Sequence, residues 1–215
     1  MNLVPAILRE QDSNSIVFSI MNQFDIIKEL LLKYSYLGIE ESKCTGATLI
    51  GKAPHIGEEA WLNRIYPPIN VEEIVKIEEN VGKTMPKSYA QFLTNYSNGL
   101  NILGDTLCLF GYRFNYIRDI NVAWQPYSII DLNKFDKPRN STKEMFFIGG
   151  YEWDGSFLYM TPDEKVHFCT SSDAQSLISW DSLFSMLISE IKRLYSLFDS
   201  KGMQIDENSP TVPKL

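Results

Sequence analysis

The chain has 215 residues, the length of one domain or of one domain with an added segment. It carries 20 Lys and Arg against 27 Asp and Glu, a formal charge of −7, which argues against a general nucleic-acid binder and against docking on anionic membranes. Hydrophobic residues make up 44% of the chain, enough for a packed core. No apolar run approaches the ~20 residues of a membrane-spanning helix.

The first third of the chain predicts one helix and a connection. Apolar residues recur every three or four positions from Phe24 to Tyr34, and Gly38 can end this helix. A segment rich in Gly, Ser and Thr follows, which is typical of a loop. We therefore expect a helical extension over residues 1–65, with Pro67-Pro68 marking the entry into a new unit.

Two short amphipathic helices are expected next. An apolar stripe predicts a helix over residues 71–81, and Gly82 ends it. Pro86 fits the first turn of a second helix, because its missing N–H has no partner there in any case. The apolar face of this helix runs from Tyr89 to Tyr96, and Asn98-Gly99 stops it.

Strands and one long helix complete the chain. Short apolar runs predict strands over residues 106–110, 145–148, 156–160 and 166–170. Tight turns join the last three strands, so an antiparallel meander is expected. A closing helix from Trp180 to Phe198 is the clearest element, and a flexible tail is expected over residues 199–215. The order of elements predicts an α+β fold with a mostly antiparallel sheet, flanking helices and a long C-terminal amphipathic helix.

The cysteines and histidines offer little chemistry. Three widely spaced cysteines without a CxxC pair disfavour a disulfide framework or a zinc site, and a cytoplasmic location is the simplest expectation. The first 20 residues do not resemble a signal peptide. His167 and Cys169 stand two apart on a predicted strand and could form a thiolate–imidazole pair, but two ordinary strand residues are the favoured interpretation. We predict no catalytic residue, metal ligand or cofactor.

Charge is distributed unevenly along the chain. Residues 151–181 hold six carboxylates and one Lys, whereas residues 83–118 hold four cations and one carboxylate. The acidic stretch either discourages edge-to-edge pairing of strands or forms a docking face for a basic protein. A Trp flanked by two acids at a hairpin tip suits an interface anchor. The candidate partner-binding residues are Glu152, Trp153, Asp154, Asp163, Glu164 and Asp173.

A series of short motifs points to a family. In this sequence the motifs are Met85-Pro86, Tyr89, Phe92-Leu93, Asn98-Gly99, Leu109-Phe110-Gly111, Phe147-Ile148-Gly149, Asp154-Gly155 and Phe157-Leu158-Tyr159. In this order, and with the closing helix, they resemble the SUKH superfamily over about residues 66–198. That superfamily includes the fungal Smi/Knr cell-wall assembly regulators and many bacterial proteins. Met85 stands where the family usually has Leu, and residues 1–65 are additional to the minimal domain.

The resemblance implies an α+β fold, no enzymatic activity and no catalytic residues to transfer. Many bacterial members are immunity proteins that bind and neutralise toxins, and the fungal members are intracellular interaction modules. Our leading hypothesis is a cytoplasmic immunity protein whose partner is a toxin domain, such as a basic nuclease. The immunity protein would bind the toxin and occlude its active surface. The alternatives are a scaffold or regulator of cell-envelope assembly, and a hydrolase that uses Cys169 with His167.

Overall fold

A computed structural model describes residues 23–119 and 122–214 of the chain. Its centre is a nine-stranded antiparallel sheet in which the strands neighbour one another in chain order. The strands are β1 (Ile39–Glu41), β2 (Thr48–Lys52), β3 (Trp61–Ile65), β4 (Leu100–Ile102), β5 (Leu107–Leu109), β6 (Phe146–Tyr151), β7 (Phe157–Met160), β8 (Val166–Cys169) and β9 (Ile178–Trp180). The start of the first predicted helix lies outside the described residues.

Five helices accompany the sheet in this part of the chain. They are α1 (23–31), which continues as a 3-10 helix (Leu32–Leu37), α2 (Val71–Val81), α3 (Lys87–Asn95), α4 (Ile129–Asp131), which continues as a π-helix (Leu132–Asp136), and α5 (Leu183–Tyr195). The α+β prediction is confirmed. Within the described residues, no helix is both long enough and apolar enough to cross a membrane.

The bounds of α2 follow directly from its sequence. The Asn70 side chain accepts hydrogen bonds from the backbone N–H groups of Glu72 and Glu73, and the Glu73 carboxylate accepts one from the Asn70 N–H. This capping box satisfies donors that the first turn of a helix leaves unpaired. Gly82 ends the helix with a left-handed backbone, φ 70°, which glycine adopts without a steric penalty.

The main hydrophobic core lies between one face of the sheet and the helices. Side chains of α1, α2, α3 and α5, with Ile129 of α4, pack there against alternate residues of the central strands. Leu100 and Ile102 of β4 belong to this core, whereas Asn101 between them points to the other face. The second face carries Asn101 together with two smaller apolar clusters, one around Phe147 and Tyr159 and one around Leu49 and Trp61.

The sequence predicts a helical extension over residues 1–65, but the structure shows three strands in the second half of this segment. Residues 39–65 form β1, β2 and β3, which pair in sequence with one another and then with β4. Adjacent residues of β2, such as Leu49 and Ile50, are both buried. A strand that is covered on both faces lacks the alternation of apolar and polar residues, which is why the sequence pattern did not reveal it.

The C-terminal region also differs from expectation. Trp180 belongs to β9, and α5 begins three residues later because the Ser182 hydroxyl caps its N-terminus. The segment predicted as a flexible tail makes defined contacts with α5. Thr211 is buried, and its carbonyl accepts a hydrogen bond of 2.6 Å from Arg193, whose guanidinium also pairs with the buried Glu190.

Candidate functional site

The strand order places alternate connections at the same end of the sheet. Every neighbouring pair of strands is antiparallel, so the β2–β3, β4–β5, β6–β7 and β8–β9 connections share one end. Successive connections at this end are two strand spacings apart, about 10 Å. Four segments that are distant in the sequence therefore form one row.

Contacts join these four connections into a continuous surface. The Glu152 N–H donates to the Thr106 carbonyl at 3.3 Å, which links the β6–β7 turn to the β4–β5 turn. A Cβ placed on Gly155 would lie 3.8 Å from the Cβ of Ser171 in the β8–β9 connection. A Cβ placed on Gly104 would approach Ile56 of the β2–β3 connection to 2.8 Å.

The charges in this row all have one sign. Residues 53–60, 103–106, 152–156 and 170–177 contain six carboxylates and no Lys or Arg. We call this surface the acidic rim, and its carboxylates are Glu58, Glu59, Asp105, Glu152, Asp154 and Asp173. By contrast, the connections that meet at the opposite end contain eleven Lys and Arg against ten Asp and Glu.

Two cations on the strands approach the rim and pair with it. Lys52 of β2 lies 3.2 Å from Glu59, and Arg64 of β3 pairs with Asp105. The Arg64 guanidinium also lies over the Trp124 ring, 5.6 Å from its centre. Four of the six rim carboxylates are not in these two ion pairs, so the surface keeps a negative excess.

Large apolar side chains stand among the rim carboxylates. Ile56 is 52% exposed, Trp153 is 43% exposed and Leu177 is 39% exposed, and they belong to three different connections of the rim. Single exposed apolar residues are common on protein surfaces, so these three mark the rim as a mixed charged and apolar surface without defining an interface. Trp153 lies between Glu152 and Asp154, which are both exposed on the same turn.

The structure separates the six predicted partner-binding residues into two groups. Glu152, Trp153 and Asp154 lie together on the β6–β7 turn, and Asp173 lies on the neighbouring β8–β9 connection. The turn that holds Asp163 and Glu164 joins β7 to β8 and is therefore at the opposite end of the sheet. The rim therefore contains Glu152, Trp153, Asp154 and Asp173, but not Asp163 and Glu164.

Glu164 has a local structural partner. Its carboxylate accepts hydrogen bonds from the backbone N–H groups of Lys87 (2.8 Å) and Ser88 (3.0 Å) and from the Ser88 hydroxyl. These donors form the first turn of α3, where no side chain of the N-cap residue Pro86 is available. Glu164 thus supplies the negative charge that a helix N-terminus favours.

Asp163 and Asp173 also bond to nearby groups. Asp163 accepts a hydrogen bond from the Thr161 hydroxyl, which lowers the pKa of its carboxyl. The Asp173 carboxylate accepts from the Gln175 N–H at 2.8 Å and from the Asn140 amide at 2.7 Å, and these bonds lower its pKa. Both side chains are therefore ionised at neutral pH.

A polar cluster on the second face of the sheet supports the rim. Asp105 accepts a hydrogen bond from the Asn101 amide, and the Tyr127 hydroxyl donates to its second oxygen at 3.4 Å. The Tyr66 hydroxyl donates to Asn101 at 2.7 Å. Sequence reasoning missed Asp105 as a site residue, because only the order β4–β5–β6 brings its turn beside Glu152.

His167 and Cys169 do not form a thiolate–imidazole pair. The two ring nitrogens of His167 lie 2.9 Å from the Ser176 hydroxyl and 3.1 Å from the Thr161 hydroxyl. Burial lowers the pKa of His167 and raises the pKa of the Cys169 thiol to about 12, so both groups are neutral at physiological pH. A hydrolase that uses this pair finds no support in the geometry.

In the described part of the chain, no group of three or more His, Cys, Asp or Glu residues could hold a metal ion.

Among curated proteins, none matches the sequence. The family model of the SMI1 / KNR4 family (SUKH-1) matches residues 68–189, from the loop before α2 into α5. This match spans more than half of the chain. The chain therefore belongs to the SMI1 / KNR4 family (SUKH-1).

Proposed function

We propose that the chain is a non-enzymatic immunity protein that binds a basic toxin domain through the acidic rim and covers its active surface. The observation that carries this proposal is the rim itself, with six carboxylates on four touching connections and no Lys or Arg among them. Membership of the SMI1 / KNR4 family supports a role in protein–protein interaction. The resemblance noted in the sequence supplies the link to toxin neutralisation.

The rim suits a basic partner for electrostatic reasons. A toxin that acts on nucleic acid needs a positive surface to attract phosphates. A row of carboxylates competes for that surface, and long-range attraction between opposite charges raises the rate of association. The exposed ring of Trp153 supplies the apolar contact that long-range charge alone does not provide.

Co-expression with a toxin encoded beside the gene for this chain tests the proposal. We expect the intact chain to bind the toxin and to restore growth of the host cells. An envelope-assembly regulator would bind a resident partner instead and would leave the toxin active. A toxin that remains unbound and active when both proteins are produced therefore contradicts the immunity role.

Paired variants test the part played by the rim. Glu152→Gln with Asp154→Asn removes two rim charges, and Glu72→Gln with Glu79→Gln removes two exposed charges from α2. We expect the rim pair to slow association with the toxin about fivefold or more at low salt and to weaken the salt dependence of the rate. The α2 pair should leave the rate unchanged. Equal effects of the two pairs would show that the partner binds elsewhere.

A further inference from the structure

We propose that a small cleft beside the acidic rim binds an arginine side chain of the partner protein. The cleft has a volume of about 190 Å³ and lies between the β4–β5 turn, the β6–β7 turn and Tyr127. The identity of the partner as a basic protein rests on the proposed function. The assignment of the cleft rests on its own geometry and chemistry.

Aromatic rings form much of the lining of the cleft. Phe110, Tyr127 and Phe157 line it, and the rings of Phe110 and Tyr127 are 5.3 Å apart at an angle of 33°. A guanidinium group is planar and weakly hydrated, so it stacks readily on such rings. The lining therefore favours arginine over a compact, strongly hydrated ammonium group.

The negative charge of the cleft comes from two carboxylates. Asp105 and Glu152 both line it, and Arg64 pairs with only the first of them. Burial raises the pKa of the Cys108 thiol to about 12, while Arg64 opposes this rise and the Glu152 carboxylate adds to it. The thiol is thus neutral, and the Glu152 carboxylate is left to attract a cation.

A buried hydroxyl in the lining gives an independent indication of a ligand. Ser156 is only 1% exposed, and its Oγ has no hydrogen-bond partner among the residues that the structure describes. Leaving a buried polar group without a partner costs free energy, and most such groups in native proteins are satisfied. An N–H group of an inserted guanidinium would donate to this oxygen.

The volume of the cleft is in the range of one side chain. Sites for small-molecule ligands have volumes of roughly 300–1,000 Å³, and this cleft is smaller. Arginine presents five N–H donors and no acceptor, and the cleft offers the Glu152 carboxylate as an acceptor beside aromatic rings, with the buried Ser156 in its lining. The rim would then attract the partner, and the cleft would fix one arginine in place.

Nuclear magnetic resonance with the full chain and N-acetyl-L-arginine amide tests the assignment without any toxin. We expect saturable shifts of the amide signals of residues 105–108 and 150–157, with a Kd of roughly 1–10 mM. N-acetyl-L-citrulline amide has nearly the same shape without the charge and should bind at least about tenfold more weakly. Absence of shifts around the cleft, or equal binding of the two probes, would overturn the assignment.

Variants identify the groups responsible. Glu152→Gln should weaken binding of the arginine probe about fivefold or more, and Glu79→Gln on α2 should leave it unchanged. Ser156→Ala should weaken it about threefold without loss of stability, because the hydroxyl has no partner in the unliganded protein. Unchanged binding in both cleft variants would contradict the proposed contacts.

The outcome is separate from that of the toxin experiment. Growth rescue without arginine binding would refute the cleft assignment and support the immunity role. Arginine binding without rescue would support the cleft and refute the immunity role.

Discussion

The two ends of the sheet use carboxylates in different ways. At the end where β7 joins β8, Glu164 caps α3, and on the adjoining α2 Glu73 caps the first turn and Glu78 accepts a hydrogen bond of 2.7 Å from the Met85 N–H. At the acidic rim, Glu152 and Asp154 project from a turn into solvent. Local structure thus occupies Glu73, Glu78 and Glu164 at one end. At the rim, Glu59, Asp105 and Asp173 also have local partners, whereas the Glu152 carboxylate stands exposed on its turn.

The largest expected difference between the two ends concerns thiol reactivity. Cys44 lies exposed in the β1–β2 connection, whereas Cys108 is buried beneath the rim with a pKa of about 12. At pH 8 only about 10⁻⁴ of a thiol with that pKa is ionised, and the thiolate is the reactive form. Iodoacetamide should therefore label Cys44 about a thousandfold faster or more, as measured by mass spectrometry of the native protein.

The unfolded protein provides the control for this experiment. In concentrated guanidinium chloride, the three cysteines should react at similar rates. Rapid labelling of Cys108 in the native protein would mean that the strand beneath the rim opens readily, and the contrast between the buried Cys108 and the exposed Cys44 would not hold.

A large effect on binding is expected from Trp153→Ala. Loss of an interface anchor typically costs 2 kcal/mol or more, so the affinity for the toxin should fall by about 30-fold or more in calorimetric titration. The side chain is 43% exposed, and the free energy of unfolding should change by less than about 0.5 kcal/mol. Phe135→Ala, at a side chain that is 72% exposed outside the rim, is the matched control and should leave the affinity intact.

A moderate effect on stability is expected from Glu164→Ala. This change removes the acceptor for two N–H groups at the start of α3, and loss of a helix cap costs about 1 kcal/mol. Glu152→Ala should change stability by less than about 0.5 kcal/mol, since its carboxylate caps no helix. Urea denaturation of both variants measures the difference, and equal losses would break the distinction between structural and available carboxylates.

The smallest effect is expected from Asp173→Asn. Hydrogen bonds from Gln175 and Asn140 lower the pKa of the Asp173 carboxyl below its ordinary value of 3.8. A carboxyl with a lowered pKa in the folded state contributes stability that is lost as the pH falls through the folded pKa. The variant should therefore lose less stability than the parent on acidification below about pH 4.

Asp163→Asn provides the counterpart at the opposite end. The Thr161 hydroxyl lowers the pKa of Asp163, so this variant should show a change of the same sign. Urea midpoints between pH 5 and pH 3 measure both. If the urea midpoints of the variants fall with pH by the same amount as those of the parent, these hydrogen bonds do not contribute to the loss of stability in acid.

Local sequence signals predicted the elements that local interactions specify. The stripe of α2 with its Gly82 terminator and the turn between β6 and β7 are confirmed, because a few adjacent residues determine them. The strands β2 and β3 were missed, since their residues are buried through pairing with distant segments. Periodicity within one segment contains no information about such partners.

The site could be predicted only in part for the same reason. Glu152, Trp153 and Asp154 are consecutive, so one turn was enough to place them together. Glu164 looked equivalent in the sequence, but it reaches the N-terminus of α3, which lies 77 residues earlier. Asp105 joins the rim only through the strand order. Charge counts locate acidic segments, and topology decides which of their side chains meet.

The outer margin of the sheet has a consequence for self-association. Among the described residues, β1 has a neighbouring strand on one side only, and Glu40 and Glu41 stand exposed on it. If a second copy aligned its own β1 alongside in parallel register, Glu40 would face Glu40 on one side of the sheet and Glu41 would face Glu41 on the other, a few ångströms apart. Mutual repulsion at this margin opposes the stacking of copies into fibrils, the usual hazard of a long open sheet.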